Sequence, residues 1–224
     1  MTLKIKYSNK KFYNKWLYKV SLEVSGCGIF RNNNFNNIKD YCNGKEINIS
    51  FYDHHQNALK NKDIILDIVK FLENNKDVLY AQRIERSLID FYSNDIKFYK
   101  DFLKKFNNVV RYGSEPLPGH EDDILNSSYI YTTKLPHNKY KFKVYLLPHK
   151  LKNNKEQKTN FISWASDQDP RVRMSKAVKS WFIRTEWNWD RRYILVEDEG
   201  TLLMLNLRNS EVVGRVHEYR LVDK

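Results

Sequence analysis

Residues 78–91 read VLYAQRIERSLIDF, and whether they make one strand or two decides the fold of the first half of the chain. Leu79, Ala81, Arg83 and Glu85 fall on one parity and Tyr80, Gln82 and Ile84 on the other, the period-two signature of extended chain. The phase slips near Ser87, which predicts a bulge or a two-strand hairpin. Upstream, residues 15–24 (KWLYKVSLEV) alternate Trp16, Tyr18, Val20, Leu22 and Val24 on one face, a strand pattern. Between the two, residues 57–74 place Leu59, Ile64 or Ile65, Ile68, Val69 and Leu72 at helical spacing. Downstream, Ser93-Asn94-Asp95 offers a helix N-cap ahead of Phe98, Tyr99, Phe102 and Phe106, and residues 109–112 close as a strand. If residues 78–91 fold back on themselves, the order is β-α-β-β-α-β, which a split βαβ, or ferredoxin-like, sandwich requires.

Two further stretches complete this lobe, residues 1–113. Residues 47–52 read as a short strand. Residues 25–46, Asn-rich at 32–37 and bounded by Cys27-Gly28 and Asn43-Gly44, read as a mobile, turn-rich loop. Pro116, Pro118 and Gly119 then break the pattern, so residues 114–128 read as a linker. In residues 129–224, strands at 129–133 and 140–147 flank a turn at His137-Asn138. Residues 152–158 read as a charged connection, and residues 160–166 and 172–181 as two helical pieces divided by Asp169-Pro170. Residues 192–196, 202–207 and 212–222 alternate as a three-stranded meander with turns at Glu199-Gly200 and Arg208-Asn209-Ser210. The expected fold class is therefore α+β: a ferredoxin-like N-terminal lobe and a basic C-terminal antiparallel-sheet lobe with short helices.

Composition narrows the function. The chain has 224 residues, 39 Lys+Arg against 27 Asp+Glu, and a net charge of +12. Its 41% hydrophobic and 14% aromatic content is too rich for a disordered chain and enough to build a core. The absence of an apolar run of about 18 residues excludes a spanning helix, and the first residues lack a signal-peptide stretch. Cys27 and Cys42 make neither a disulfide framework nor a four-ligand zinc site. These features suit a reduced, cytoplasmic protein with no membrane partner. The 24 Asn, 4 Ala and 7 Gly point to AT-rich codons, as in a phage-like genome, so part of the lysine excess is codon drift. Where the charge sits says more: residues 134–192 carry net +10, and residues 193–224 net −2. A localised basic surface draws polyanions.

Motif chemistry is sparse. No Gly-x-Gly-x-x-Gly, P-loop, His-Glu-x-x-His or Gly-x-Ser-x-Gly occurs, so nucleotide-driven motors, dinucleotide oxidoreductases and the common hydrolases are disfavoured, and no cofactor or metal is expected. His120-Glu121-Asp122-Asp123 reads as an acidic helix N-terminus, and Glu197-Asp198-Glu199-Gly200 as a polar turn. His54 and His55 are the most catalytic-looking pair, because imidazole titrates near neutrality, although neighbours on a strand face opposite ways.

Arginine is the more informative residue here, since it matches phosphate bidentately and codon drift explains it less readily than lysine. Arg83 interrupts an apolar extended stretch and pairs with Glu85 if the two share a face. Arg171, Arg173, Arg184, Arg191 and Arg192 fall within 22 residues, interleaved with Trp181, Trp187 and Trp189. Guanidinium groups beside aromatic faces suit a single-stranded platform, where phosphates pair and bases stack. In residues 140–145 (YKFKVY), alternation puts Lys141 and Lys143 on one face and Tyr140, Phe142 and Val144 on the other, and Lys134 extends the basic surface. The expected function is non-catalytic binding of single-stranded nucleic acid, as an accessory factor in replication or transcription of an AT-rich phage-like genome. Lys134, Lys141, Lys143, Arg171, Arg173, Arg184, Arg191 and Arg192 would neutralise phosphates, and Trp187 or Trp189 would stack. Two other readings stand beside it. One is a virion component or polymerase adaptor anchored by the Trp187/Trp189 segment. The other is a metal-independent endoribonuclease with His54 or His55 as general base, similar in lobe pairing to CRISPR repeat-processing enzymes but without their glycine-rich C-terminal loop.

Overall fold

The computed structural model describes residues 4–31, 34–46, 57–151, 154–184 and 192–222. The described chain is mixed α and β, with seven α-helices and two five-stranded sheets, and it divides into the units Met1–Leu125 and Asn126–Lys224. Among the described residues no helix is long and apolar enough to cross a membrane.

In the first unit the strands are β1 (Ile5–Ser8), β2 (Tyr18–Glu23), β3 (Tyr80–Glu85), β4 (Leu88–Ser93) and β5 (Val110–Pro116), with helices α1 (Phe35–Cys42), α2 (Lys62–Asn74), α3 (Ile96–Lys105) and α4 (Glu121–Asn126). The sheet order is β1-β5-β2-β4-β3, β1 running parallel to β5 and all other neighbours antiparallel. Residues 78–91 resolve into a hairpin: β3 and β4 pair from Tyr80↔Ser93 to Glu85↔Leu88, and Arg86 takes the turn at φ 57°. Val20, Leu22, Ile89 and Phe91 are buried, as are Ile65, Ile68 and Leu72 of α2 and Phe98 and Phe102 of α3. Asp95 caps α3 by accepting the Phe98 N–H at 2.8 Å.

Two stretches of this unit differ from expectation. Residues 25–46 contain a buried 3-10 turn (Cys27–Phe30) and the helix α1, whose N-cap Asn34 accepts the Asn37 N–H at 2.8 Å. Asparagine caps helices as readily as it makes turns, and Ile38 and Cys42, one helical turn apart, give α1 a buried side. Gly26 sits at φ 88°, where a Cβ would lie 2.5 Å from the Ala58 Cα, so this turn is locked against neighbouring backbone. Residues 114–116 complete β5 and α4 occupies 121–126, leaving little of the expected linker irregular. The strand expected at 47–52 lies outside the described residues.

In the second unit the strands are β6 (Tyr129–Thr132), β7 (Phe142–Leu146), β8 (Val172–Arg173), β9 (Tyr193–Val196) and β10 (Val213–Leu221), with helices α5 (Lys155–Asp167), α6 (Lys176–Arg184) and α7 (Glu199–Asn209). The sheet order is β6-β10-β7-β9-β8. It is not wholly antiparallel, because β6 and β10 run parallel. Phe142, Val144 and Leu146 of β7 join Val172, Ile194 and Val196 in one core with Phe161 and Trp164 of α5, Val178 and Phe182 of α6 and Leu205 of α7.

The meander expected at 192–222 is not formed, because its middle strand is the helix α7. The cap decides it: Asp198 Oδ1 accepts the Thr201 N–H at 2.8 Å, and the Thr201 hydroxyl donates to Oδ2 at 3.0 Å. The apolar run Leu202-Leu203-Met204-Leu205 fits period two or 3.6 equally, and with a capped start the helical period buries Thr201 and Leu205 together. Similarly, Asn154 caps α5, so the helix begins within the stretch read as a charged connection. Residues 172–173 pair with β9 as β8 before α6 begins.

The Thr201 amide holds the Asp198 carboxyl below the usual carboxylate range. A depressed carboxyl pKa stabilises the fold above the unfolded value, and that contribution is lost as pH falls through the folded one. Asp198→Ala should therefore cost about 1 kcal/mol in urea unfolding at neutral pH. Its deficit against wild type should shrink on acidification, while Asp198→Asn, an equally good cap, unfolds close to wild type.

Candidate nucleic-acid interface

β7 builds the site from both its faces. Because side chains alternate across a strand, burying Phe142, Val144 and Leu146 against the helices sends Lys143 and Tyr145 to the opposite face of the sheet. β7 is the central strand, so these two side chains meet neighbours on either side. Tyr145 lies directly across from Tyr193 on β9, their ring centroids 5.9 Å apart. Lys143 is opposite Leu195 on β9 and His217 on β10, and Leu195 is in turn opposite Arg173 on β8. Arg173, Leu195, Lys143 and His217 thus form one row across four strands.

The electrostatics of this face follow from partial burial. Lys143 Nζ sits 3.8 Å from the Tyr193 ring centre and 5.2 Å from that of Tyr145, a cation–π arrangement. Burial lowers the Lys143 pKa, opposed by Tyr193. The Tyr219 phenol, on the same parity of β10 as His217, is pushed up to about 12, first by burial and then by Tyr193 and Tyr145. His217 is buried and its Nδ1–H donates to the Ser128 carbonyl at 2.8 Å. Leu195 is buried too, so the accessible part of the face lies where Arg173 and Tyr193 are exposed and Lys143 and Tyr145 half-buried.

A cleft of about 590 Å³ opens at this β8–β9 edge. Arg173, Arg192, His137, Ser175 and Tyr193 supply its polar wall, and Val178 and Leu195 its apolar one. No carboxylate is among the described residues that line it. The backbone fixes both arginines: Arg173 by its pairing with Leu195, and Arg192 by its carbonyl, which accepts the Leu146 N–H at 3.1 Å.

The other residues chosen from sequence are distributed unevenly. Arg171 is exposed, and its carbonyl accepts the Glu197 N–H at 2.9 Å. Lys141 is exposed 3.7 Å from Glu199, a pairing too open to bind tightly. Lys134 is exposed in the turn after β6, the edge strand farthest from Arg173, and Arg184 ends α6 outside the cleft lining. Trp181 is half-buried against the core rather than presented as a platform. Arg83 belongs to the first unit, where it donates to the Tyr13 hydroxyl at 2.8 Å and to Glu85 at 3.2 Å. His54, His55, Trp187, Trp189 and Arg191 lie outside the described residues.

Tyr145, Tyr193, Tyr219, His137 and Ser175 were not legible as site residues in the sequence; only the period-two parity of Tyr145 with Lys143 pointed toward any of them. Among the described residues no group of three or more His, Cys, Asp or Glu side chains is placed to hold a metal ion. Both cysteines are buried and unpaired as disulfides, and burial pushes the Cys27 thiol to about 12, far from a ready nucleophile. No family model, curated protein or solved structure matches this chain.

The raised Tyr219 pKa has a consequence for stability. The native state keeps a proton that the unfolded chain releases near the ordinary value of 10.0, so the fold loses stability as pH rises from there toward about 12. Tyr219→Phe should flatten that alkaline loss in denaturant titrations. Lys143→Met should act on the other side: wild type gains stability as pH rises from the lowered Lys143 pKa toward 10.5, and the variant should not.

Proposed function

We propose that the chain is a non-catalytic nucleic-acid-binding protein that takes a single strand on the face of its second sheet opposite α5, α6 and α7. The single observation that carries this is the cross-strand pair Tyr145–Tyr193 with Lys143 over it and Arg173 in the adjacent row. A sheet face that offers aromatic rings beside cations accepts stacked bases and their phosphates together. The concentration of positive charge in residues 134–192 supplies the long-range attraction. The role that fits is an accessory factor in replication or transcription of an AT-rich, phage-like genome, acting in the cytoplasm. In the first unit, the antiparallel order β5-β2-β4-β3 with α2 and α3 as crossings supports a split βαβ, ferredoxin-like reading, to which β1 adds an edge strand.

A protein-binding reading has its own support. On α7, Leu203, Met204 and Leu207 are exposed while Leu205 is fully buried, and Leu207 is 79% exposed. A virion component or polymerase adaptor would place such a helix against its partner. Association with a polymerase or virion protein that survives nuclease treatment and is lost in Leu207→Glu would favour this reading.

Fluorescence anisotropy with labelled single-stranded DNA, single-stranded RNA and duplex, titrated across salt, tests the first reading. Micromolar or tighter binding with a preference for a single strand is expected. Arg173→Ala should lower the salt slope by about 0.7, the value for one phosphate contact on a single strand. Tyr193→Ala should weaken binding by roughly 1–3 kcal/mol, the range for one stacked base, with little change in slope. Weak binding that is equal for all three probes and gone at physiological salt would contradict the proposal.

A further inference from the structure

We propose that the cleft between Arg173 and Arg192 is a nucleotide subsite that recognises a phosphomonoester, either the phosphorylated end of a strand or a free nucleoside monophosphate. In its strand-end form the inference rests on the nucleic-acid reading above. Its volume of about 590 Å³ lies within the range of small-molecule sites, and its lining divides into a part for phosphate and a part for a base.

The phosphate end is defined by charge. Arg173 and Arg192 supply two guanidinium groups, each able to hold phosphate oxygens in parallel N–H···O pairs, and His137 lines the same cleft. Arg173 pairs with Leu195 on β9, and Arg192 immediately precedes that strand, so the two arginines reach the cleft from adjacent strands. The Arg192 Nε is shielded from solvent without a hydrogen-bond partner among the described residues. A buried guanidinium N–H left unpaired is costly, a cost that a shift of this side chain toward an entering anion would relieve. Ser175 adds a hydroxyl whose oxygen accepts the Val178 N–H at 3.2 Å, leaving its proton for an acceptor.

The charge count selects the kind of phosphate. A phosphodiester within a strand carries one negative charge, whereas a phosphomonoester carries −1.5 to −2 near neutrality. Two guanidinium groups with no carboxylate among the described lining residues match the second. The base end is Tyr193. Lys143 lies over its ring at 3.8 Å and the residue is 40% exposed, which leaves ring surface for a base to contact, with Val178 and Leu195 alongside. His137, held at φ 52°, occupies the left-handed region that few non-glycine residues adopt.

The test compares labelled single strands of one sequence bearing a 5′-phosphate, a 3′-phosphate or hydroxyls at both ends, with 5′-UMP as competitor. Wild type, Arg173→Ala, Arg192→Ala, Arg192→Lys and the control Lys104→Ala, at an exposed position of α3 in the first unit, are assayed, with thermal unfolding confirming that each is folded. One phosphorylated end should bind at least about tenfold tighter than the hydroxyl strand, an advantage lost in both alanine variants and kept in Lys104→Ala. Arg192→Lys, which keeps the charge but not the fork, should retain only part of it. Effective competition by 5′-UMP identifies a free nucleotide as sufficient, and its failure beside an end-phosphate preference assigns the subsite to strand ends. If all three strands bind wild type equally well and 5′-UMP does not compete, the subsite is overturned while strand binding stands. If no strand binds, the nucleic-acid reading falls, and titration of 5′-UMP alone decides the cleft: binding lost in Arg192→Ala upholds it, and no binding overturns it.

Discussion

Burial of Phe142, Val144 and Leu146 against α5 and α6 is the constraint on which the rest of the second unit depends. Each of these side chains contributes roughly 1.5–3 kcal/mol on leaving water, and together they fix which way β7 faces. A one-residue slip in register would send every side chain to the wrong side. With the register set, Lys143 and Tyr145 have no place except the opposite face. The strands that pair with β7 then bring Tyr193 and His217 to the same surface. Lys143 is consequently held half-buried over tyrosine rings, and its charge is easier to lose than that of an ordinary surface lysine. The basic and aromatic character of the face thus follows from packing on the side away from it.

Charge is handled differently at the cleft from elsewhere in the two units. Elsewhere cations meet carboxylates: Lys19 lies 2.7 Å from Asp90, Lys39 2.6 Å from Glu73, Arg83 3.2 Å from Glu85 and Lys139 2.9 Å from Glu197. Asp90 also accepts the Tyr92 hydroxyl at 3.0 Å, which makes the Lys19–Asp90 pair part of a shielded local network. At the β8–β9 edge of the second unit, Arg173 and Arg192 line a cleft whose described wall carries no carboxylate. The same residue types therefore stabilise the fold in one place and leave a positive field in the other.

Much of the fold was legible because one-sided burial writes period two directly into the sequence. Residues 15–24, the hairpin within 78–91 and β7 are all of this kind, while the Asp95 cap was legible from its side-chain chemistry. Three failures have physical causes. The run from Thr201 to Leu207 is apolar enough to suit a strand or a helix, and only the Asp198 cap distinguishes them. Cys27, Ile29 and Phe30 lie among turn-forming glycines and asparagines, which hid their burial. The parallel pairing of β6 with β10 joins residues about 90 positions apart and leaves no local trace. The site was harder still. Arg173, Arg192 and Lys143 stood out as cations in a basic stretch, whereas the Tyr145–Tyr193 pair depends on a contact across 48 residues that no local pattern records.

The central claim is that a single strand lies on the face of β7 and β9 opposite α5, α6 and α7. Photocrosslinking a bound single strand carrying 4-thiouridine, followed by mass spectrometry of the adducts, tests this most directly. The account predicts adducts on peptides containing Tyr193 and Tyr145. Adducts confined to the first unit or to α7, with the strand bound, would contradict it.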